Sequence, residues 1–442
     1  MITRTPAALS DRLTAWGFRA ATWGGVGWLL GWRATAALAV LAIVTHLLAL
    51  AIRALPSRSV AARALTVGTV AGHLAFFAAV LLLTPLRGLI PFGAGVVMCH
   101  AVAYVVDVYR GAADPRRHGA ALLYVAQFPV FPAGPLSRLH EFAEQLARAD
   151  ISMGAFAYGV RRIVTGLMKV FLIAGPLGAT ADRIFALRLS RLATSYAWLG
   201  LICFALEIYF LFSGFSDVGI GVGRVLGFRF AENFRRPYTA DSVREFWRRW
   251  NVTLITWLRD YLSLPIAGHA RPTPRLYAMI VAGFVVVGLW HRASVNVFVW
   301  AFYSGTWLAL EELGLHARLQ RLPAVLRHAY VLVVVTFGWL LLRGNGPGPT
   351  LGFAEALLGY SVATTGGALT FMTPALWVAL PSAILFAGPL VGSISRWRVS
   401  VDAATASLMM MLAATCVFVW KMLEPVARAL LPQRTVPRGQ QR

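Results

Sequence analysis

Charge is what this sequence lacks most. Asp, Glu, Lys and Arg make up 13% of its 442 residues, while 58% are hydrophobic and the mean hydropathy is +0.67; a soluble domain carries about twice that share of charge. A soluble enzyme with one membrane anchor is therefore excluded. Since about 20 apolar residues carry a helix across a hydrocarbon core of about 30 Å, length and composition predict an all-α polytopic membrane protein with about ten to twelve transmembrane helices. Lysine is rarer still: only Lys169 and Lys421 occur, and neither follows the glycine of a GxxxxGK[ST] phosphate loop, which argues against ATP-driven transport by this chain alone. Cysteine is limited to Cys99, Cys203 and Cys416, an odd number without metal-ligand spacing, each inside an apolar run, so they are read as small buried hydrophobes. HxxxxD, GxSxG and HExxH are all absent, which removes the soluble acyltransferase, serine hydrolase and zinc-protease patterns. Neither a metal site nor a bound cofactor is expected.

What charge there is has one sign. Forty-one basic residues against 18 acidic give a net charge of +23, nearly all of it arginine, clustered between apolar runs. That distribution predicts cytoplasmic loops beside anionic lipid headgroups rather than a nucleic-acid partner. The apolar runs fall at 34–52, 65–86, 88–106, 163–181, 192–206, 276–290, 293–310, 329–342, 373–394 and 403–420. Arg4, Arg12 and Arg19 precede the first, as in a signal peptide, but the run is long enough to span and is read as uncleaved. The Gly/Pro-rich segment 344–350 reads as a loop on the non-cytoplasmic side. One multi-span domain over 1–431 and a basic, disordered tail at 432–442 complete the organisation, in a multi-pass protein of the bacterial cytoplasmic (inner) membrane.

Gly219, Gly223 and Gly227, spaced by four, predict a helix face that a neighbour approaches closely. The segment SVREFWRRWNVTLITWLRDYLSLP (242–265) is too charged to span; Trp247, Trp250, Leu254, Trp257, Leu258 and Tyr261 recur at three and four residues and predict one helix with an aromatic-aliphatic face, lying in the interface or tucked into the protein. Ionisable groups inside apolar runs cost about 2.5–3.5 kcal/mol or more at the bilayer centre, so each needs a partner, a watery cavity or a role. The candidates are His46, His73, His100, Glu207, Asp217 and His291; the first three have no motif support and are read as structural.

FWRRWNVTLITWLRDYLSLPIAG followed by GLWHRASVNVFVWAFYSGTWLALEE resembles the membrane-bound O-acyltransferase family, in particular its bacterial branch containing the alginate O-acetyltransferase and the protein that exports D-alanine to teichoic acids. YFLFSGFSDVGIGVGRVLGFRFAENFRRPYTA and FPVFPAGPLSR (128–138) are similar to the same branch, so the likeness runs over about 128–312, with a weaker echo to 359. The resemblance implies a multi-span helical fold with a central tunnel in which an acyl thioester meets an acceptor hydroxyl. It places His291 on the family's histidine, as general base toward that hydroxyl, a role worth about 10²- to 10⁴-fold. Asn251 falls where the alginate-type branch carries histidine and other branches asparagine; its amide is expected to donate to the developing oxyanion or to orient the acceptor. Arg292 replaces the usual glycine after the histidine, setting a cation beside the base or an anchor for an anionic part of the donor. Arg248, Arg249, Trp250, Arg259, Asp260, Trp290, Arg292 and Asp217 are the candidate substrate- and donor-binding residues, the arginines because guanidinium forks suit the pyrophosphate of coenzyme A. The expected reaction passes an acyl group, acetyl in the first instance, from coenzyme A or a carrier thioester to a hydroxyl of a glycan or exported intermediate, with an exported second acyltransferase as a possible onward partner. A transporter or flippase of a lipid-linked or acylated substrate, and a catalytically silent family member, are the alternatives.

Overall fold

The computed structural model describes residues 6–82, 94–116, 118–127, 130, 134–147, 152–263, 274–291, 294–361 and 367–388, with backbone alone at some helical positions, among them 262–263, 274–277 and 289–291. Regular structure among these residues is helical throughout. The helices are α1 (Pro6–Ala54), α2 (Val60–Leu82), α3 (Ala94–Arg110), α4 (His118–Val125), α5 (Leu139–Ala147), α6 (Met153–Met168), α7 (Gly175–Phe185), α8 (Thr194–Val225), α9 (Val243–Arg249), α10 (Val252–Trp257), α11 (Pro274–His291), α12 (Val295–Leu310), α13 (His316–Leu319), α14 (Ala324–Arg343), α15 (Pro347–Leu357) and α16 (Pro374–Ala387). A π-helical stretch, Lys169–Ala174, joins α6 to α7 without interruption.

Five of the described helical segments are long and apolar enough to cross a membrane: Trp32–Ala54, Val60–Ala79, Met153–Phe185, Thr194–Val225 and Ala324–Arg343. Ala278–Gly288 and Pro374–Ala387 are apolar but shorter. The run 88–106 yields α3 of 17 residues and 293–310 yields α12 of 16, while 403–420 and the tail 432–442 lie outside the described residues. The segment 344–350 is only in part a loop: Gly346, at φ +106°, ends it, and α15 begins at Pro347, whose fixed φ and missing N–H suit a first helical position.

α8 is the central post, with 61% of its most apolar stretch buried against 28–33% for the other four spans. Its close neighbour is α6, and the closest approaches to it fall at glycines other than Gly223 and Gly227. A Cβ on Gly221 would sit 2.6 Å from the Gly159 carbonyl, and one on Gly166 would sit 2.5 Å from the Gly214 carbonyl. The crossing therefore runs through Gly159 and Gly166 against Gly214 and Gly221, seven residues apart on each helix. Gly223 instead accommodates the ring of Phe230, and Gly227 supplies a positive φ of +87° where the chain leaves α8.

Two hydrophobic cores result. One packs α7, α8, α9, α12, α14, α15 and α16 around Trp247, Trp250, Trp300 and Trp339. The other packs α1, α3, α4, α5 and α10 around Tyr104, Tyr124, Phe142, Phe228 and Trp257. The segment 242–265, expected as one amphipathic helix, is shared between them. Trp247 and Trp250 belong to the first core; Leu254, Trp257 and Leu258 belong to the second. A straight helix would turn all of these side chains toward one surface. The chain instead breaks at Trp250, which is extended (φ −93°, ψ 124°), and Asn251, which is left-handed (φ 44°, ψ 54°), before α10 begins.

Candidate active site

The break is built by long-range hydrogen bonds. Asn233, fully buried, accepts from Val252 N–H with its backbone carbonyl at 2.8 Å. Its side-chain oxygen accepts from Thr253 N–H at 3.2 Å and from the Thr253 hydroxyl at 2.9 Å, and its amide nitrogen donates to Ser216 Oγ at 2.9 Å. Arg235 N–H donates to Arg249 C=O at 2.9 Å, and Leu136 N–H reaches Thr253 Oγ1 at 2.9 Å. The turn that presents Asn251 is thus clamped from the loop after α8 and from the segment before α5. Asparagine tolerates the left-handed region better than other residues with a Cβ. Its side chain makes no capping hydrogen bond to α10, so the amide is not spent on the helix that follows it.

On the other side of the break, α9 is capped twice. Ser242 Oγ accepts from Glu245 N–H at 3.1 Å, and the Glu311 carboxylate, 2% exposed, accepts from Val243 N–H at 2.7 Å and Arg244 N–H at 2.9 Å. A carboxylate at a helix N-terminus satisfies otherwise orphaned donors and complements the helix dipole. Trp250 is packed in an aromatic block with Phe246, Trp339, Phe234 and Tyr238, ring centroids 4.8 to 6.3 Å away. Tyr238 locks the block: its hydroxyl donates to Ala205 C=O at 2.5 Å and accepts from Trp339 Nε1 at 3.0 Å.

α9 and the preceding loop form a polar pocket of about 550 Å³ lined by Arg235, Arg236, Thr239, Glu245, Arg248 and Arg249. Four guanidinium groups face it and one carboxylate. Arg249 is oriented by Glu245 Oε1 at 2.7 Å and Thr239 Oγ1 at 2.7 Å. A pocket of that charge is suited to phosphate groups, which guanidinium forks bind bidentately. Arg235 and Arg236, which the sequence reading did not single out, follow the family-like AENF segment and carry the basic signal that would have found them.

Arg259 and Asp260 do not line this pocket. They lie beyond the break, in the π-helical turn Leu258–Ser263, where Asp260 pairs with Arg259 at 2.8 Å and with Arg138, and its carbonyl accepts from Arg110 at 3.0 Å. Burial disfavours the Arg138 cation, but the Asp260 carboxylate against it holds its pKa above the ordinary arginine value. Next to them Tyr261 donates to both Asp107 oxygens, at 3.0 and 2.9 Å; burial and that carboxylate raise the pKa of its hydroxyl and keep it protonated.

Asp217 sits 5% exposed at the crossing of α6 and α8, held by Arg162 at 2.6 Å and Lys169 at 2.6 Å; Arg162 also grips Glu232. Nothing in the apolar pattern announced Arg162 as the bridge between two acids. His291 is the last residue of α11. Its side chain, that of Trp290 and the whole of Arg292 lie outside the described residues. The early histidines pack among spans: His46 with Tyr104 (2.7 Å) and His118 (2.8 Å), His73 with Thr45 (2.8 Å) and the Thr69 carbonyl (2.8 Å), and His100, without a hydrogen-bond partner among the described residues, against the Tyr124 ring.

These elements, a broken amphipathic segment, a basic pocket and a helix ending in LWH, fall inside residues 115–342, which match the membrane-bound O-acyltransferase family. The chain belongs to that family, and its spans make it a multi-pass membrane protein. It is 37% identical over 259 residues to the probable alginate O-acetylase AlgI of Pseudomonas fluorescens, covering 58% of this chain and 52% of that protein. It is 27% identical over 248 residues to a peptidoglycan O-acetyltransferase of Helicobacter pylori (54% and 46%), and 23% identical over 195 residues to a teichoic acid D-alanyltransferase of Bacillus subtilis (41% and 48%). The chain spans about half the length of the curated relatives it matches.

Proposed function

We propose that this protein is an O-acyltransferase that moves an acyl group, acetyl by analogy with its relatives, from the thioester of coenzyme A or of a carrier to a hydroxyl on a glycan or exported intermediate. The observation that carries the reading is the break at Trp250–Asn251, which sets an amide that does not cap α10 two residues after Arg249 of a phosphate-sized basic pocket. In this reading Arg248 and Arg249, with Arg235 and Arg236, hold the donor's phosphates. His291 takes the proton of the acceptor hydroxyl as its oxygen attacks the thioester carbonyl, and the Asn251 amide donates to the oxyanion that forms. Collapse of that intermediate expels the thiolate, which takes up a proton. Trp250 and Trp290 shape the passage, and Arg292 disfavours a lasting positive charge on His291 or contacts an anionic part of the donor. Asp217, tied to Arg162 and Lys169, keeps α6 and α8 in register, and the Asp260 pairs fix the second half of the segment. Positive charge at the α9 end supports a cytoplasmic position for that end in an inner-membrane protein, on the side where the donor is made. An exported second acyltransferase is the fitting onward recipient.

Membranes containing the full chain, incubated with labelled acetyl-CoA, test this. Transfer of label to a non-thioester product in the wild type and a loss of about 10²- to 10⁴-fold in His291→Ala support the enzyme. No transfer, with movement of an acylated substrate across the membrane unaffected in the variant, overturns it in favour of transport. Asn251 in the histidine position favours one further check: if the wild type is inert and Asn251→His or Arg292→Gly gains transfer, the chain is a silent family member.

A further inference from the structure

A second cavity lies apart from Asn251. It is a cleft of about 1330 Å³ between α8, α14 and α16, above the roughly 300–1,000 Å³ of a small-molecule site. Its walls are apolar, with Ile202 and Leu206 from α8, Val333 and Phe337 from α14, and Leu380 and Ile384 from α16. Along α16 the lining runs from Trp377 to Gly388, about 16 Å at the helical rise of about 1.5 Å per residue. That is one leaflet of a hydrocarbon core of about 30 Å. Trp377, Val333 and Ile384 are each more than half exposed on its rim, so among the described residues the cleft is open along α14 and α16, whose exposed apolar faces suit surrounding lipid. Trp250 and Asn251 are not among its lining residues. Tyr238 is, and behind Tyr238 stand Phe246, Trp250 and Trp339.

One end of the cleft is polar and balanced in charge. Asp241 pairs with Arg327 at 3.1 Å and Glu245 with Arg249 at 2.7 Å, and His328 donates Nδ1–H to the Ala240 carbonyl at 3.1 Å. Two carboxylates and two guanidinium groups at the mouth of a leaflet-deep apolar groove match a head that carries one charge of each sign. An anionic head is better served by the arginine-rich pocket next door, which shares only Thr239, Glu245 and Arg249 with the cleft.

We propose that the cleft is a binding site for a zwitterionic aminophospholipid, its acyl chains between α8, α14 and α16, its phosphate toward Arg249 and Arg327 and its ammonium toward Asp241 and Glu245. The cleft borders the donor pocket through Glu245 and Arg249, but lipid retention is read without acyl transfer, so the proposal stands whether or not that reading holds.

The full-length protein reconstituted into nanodiscs of equal phosphatidylethanolamine and phosphatidylglycerol, then released into mild detergent, tests it by native mass spectrometry. The expected result is a one-to-one adduct enriched about tenfold in phosphatidylethanolamine, the ratio that about 1.4 kcal/mol of differential binding gives. Leu380→Trp, which fills the groove, removes the adduct. Asp241→Asn combined with Glu245→Gln, which leaves the groove open and its mouth positive, exchanges the retained lipid for phosphatidylglycerol. A wild type that retains phosphatidylglycerol, or no lipid, overturns the proposal. So does an adduct that persists in Leu380→Trp, or a head preference unchanged in the double variant.

Discussion

The two halves of the segment 242–265 start from similar residues and meet different fates. Before Asn251, FWRRW packs its aromatic rings into one core and leaves Arg248 exposed and Arg249 half-buried at an open pocket. After it, TWLRDY packs Trp257 into the other core, and its Arg259 and Asp260 are tied to each other, with Arg138 and Arg110 closing the group. The difference teaches that an arginine's neighbours across the fold, rather than its place in a charged stretch, decide whether it is offered to a ligand. Arg249 has one carboxylate partner shared by a pocket of four guanidinium groups, while the Asp260 carboxylate lies between two cations.

The contrast is broken most severely at its hinge. Asn251→Gly keeps the positive φ and removes the amide, so label transfer from acetyl-CoA is expected to fall by about 10²- to 10³-fold with thermal unfolding in detergent unchanged; an unaltered rate takes the amide out of the chemistry. Next in size is Asn233→Ala, which strips the Thr253 N–H and hydroxyl of their acceptor in a fully buried site. It should cost about 1–3 kcal/mol, read as a lower midpoint in thermal unfolding, and a midpoint that does not move says the clamp holds nothing. Arg248→Ala sharpens the first half: the KM for the thioester donor should rise about tenfold, equivalent to about 1.4 kcal/mol, with kcat nearly constant, whereas a kcat loss at constant KM removes the pocket from donor binding. The smallest effect belongs to Arg259→Ala. With that side chain 60% exposed, stability should change by less than about 1 kcal/mol and the donor's KM should not move; a KM shift like that of Arg248→Ala erases the distinction between the halves.

Much of this was legible in the sequence. Apolar runs between arginines mark where α1, α2, α6 to α8 and α14 lie, because a backbone can cross hydrocarbon only when its polar groups are paired within the helix. The family is legible too, through FWRRWN and LWH taken together. The break is not. Spacing of three and four continues through Trp250 and Leu254, and what interrupts the helix is Asn233, 18 residues upstream, whose hydrogen bonds no local pattern announces. A close helix approach to α8 was legible, but its register was not, for a related reason: every glycine of α8 is equally small, and the partner helix, with its own Gly159 and Gly166, selects Gly214 and Gly221. Arg162 and Glu311 escaped notice because each acts on an element far away in the chain.

Glu311 has a mechanical consequence. Its carboxylate, rooted where α12 ends, grips the two leading amides of α9, and α9 is only two turns long before it delivers Arg248 and Arg249. A tilt or axial slide of α12 therefore pulls on the arginine pair as a tiller pulls on a rudder, and the far end of that same helix begins four residues after His291.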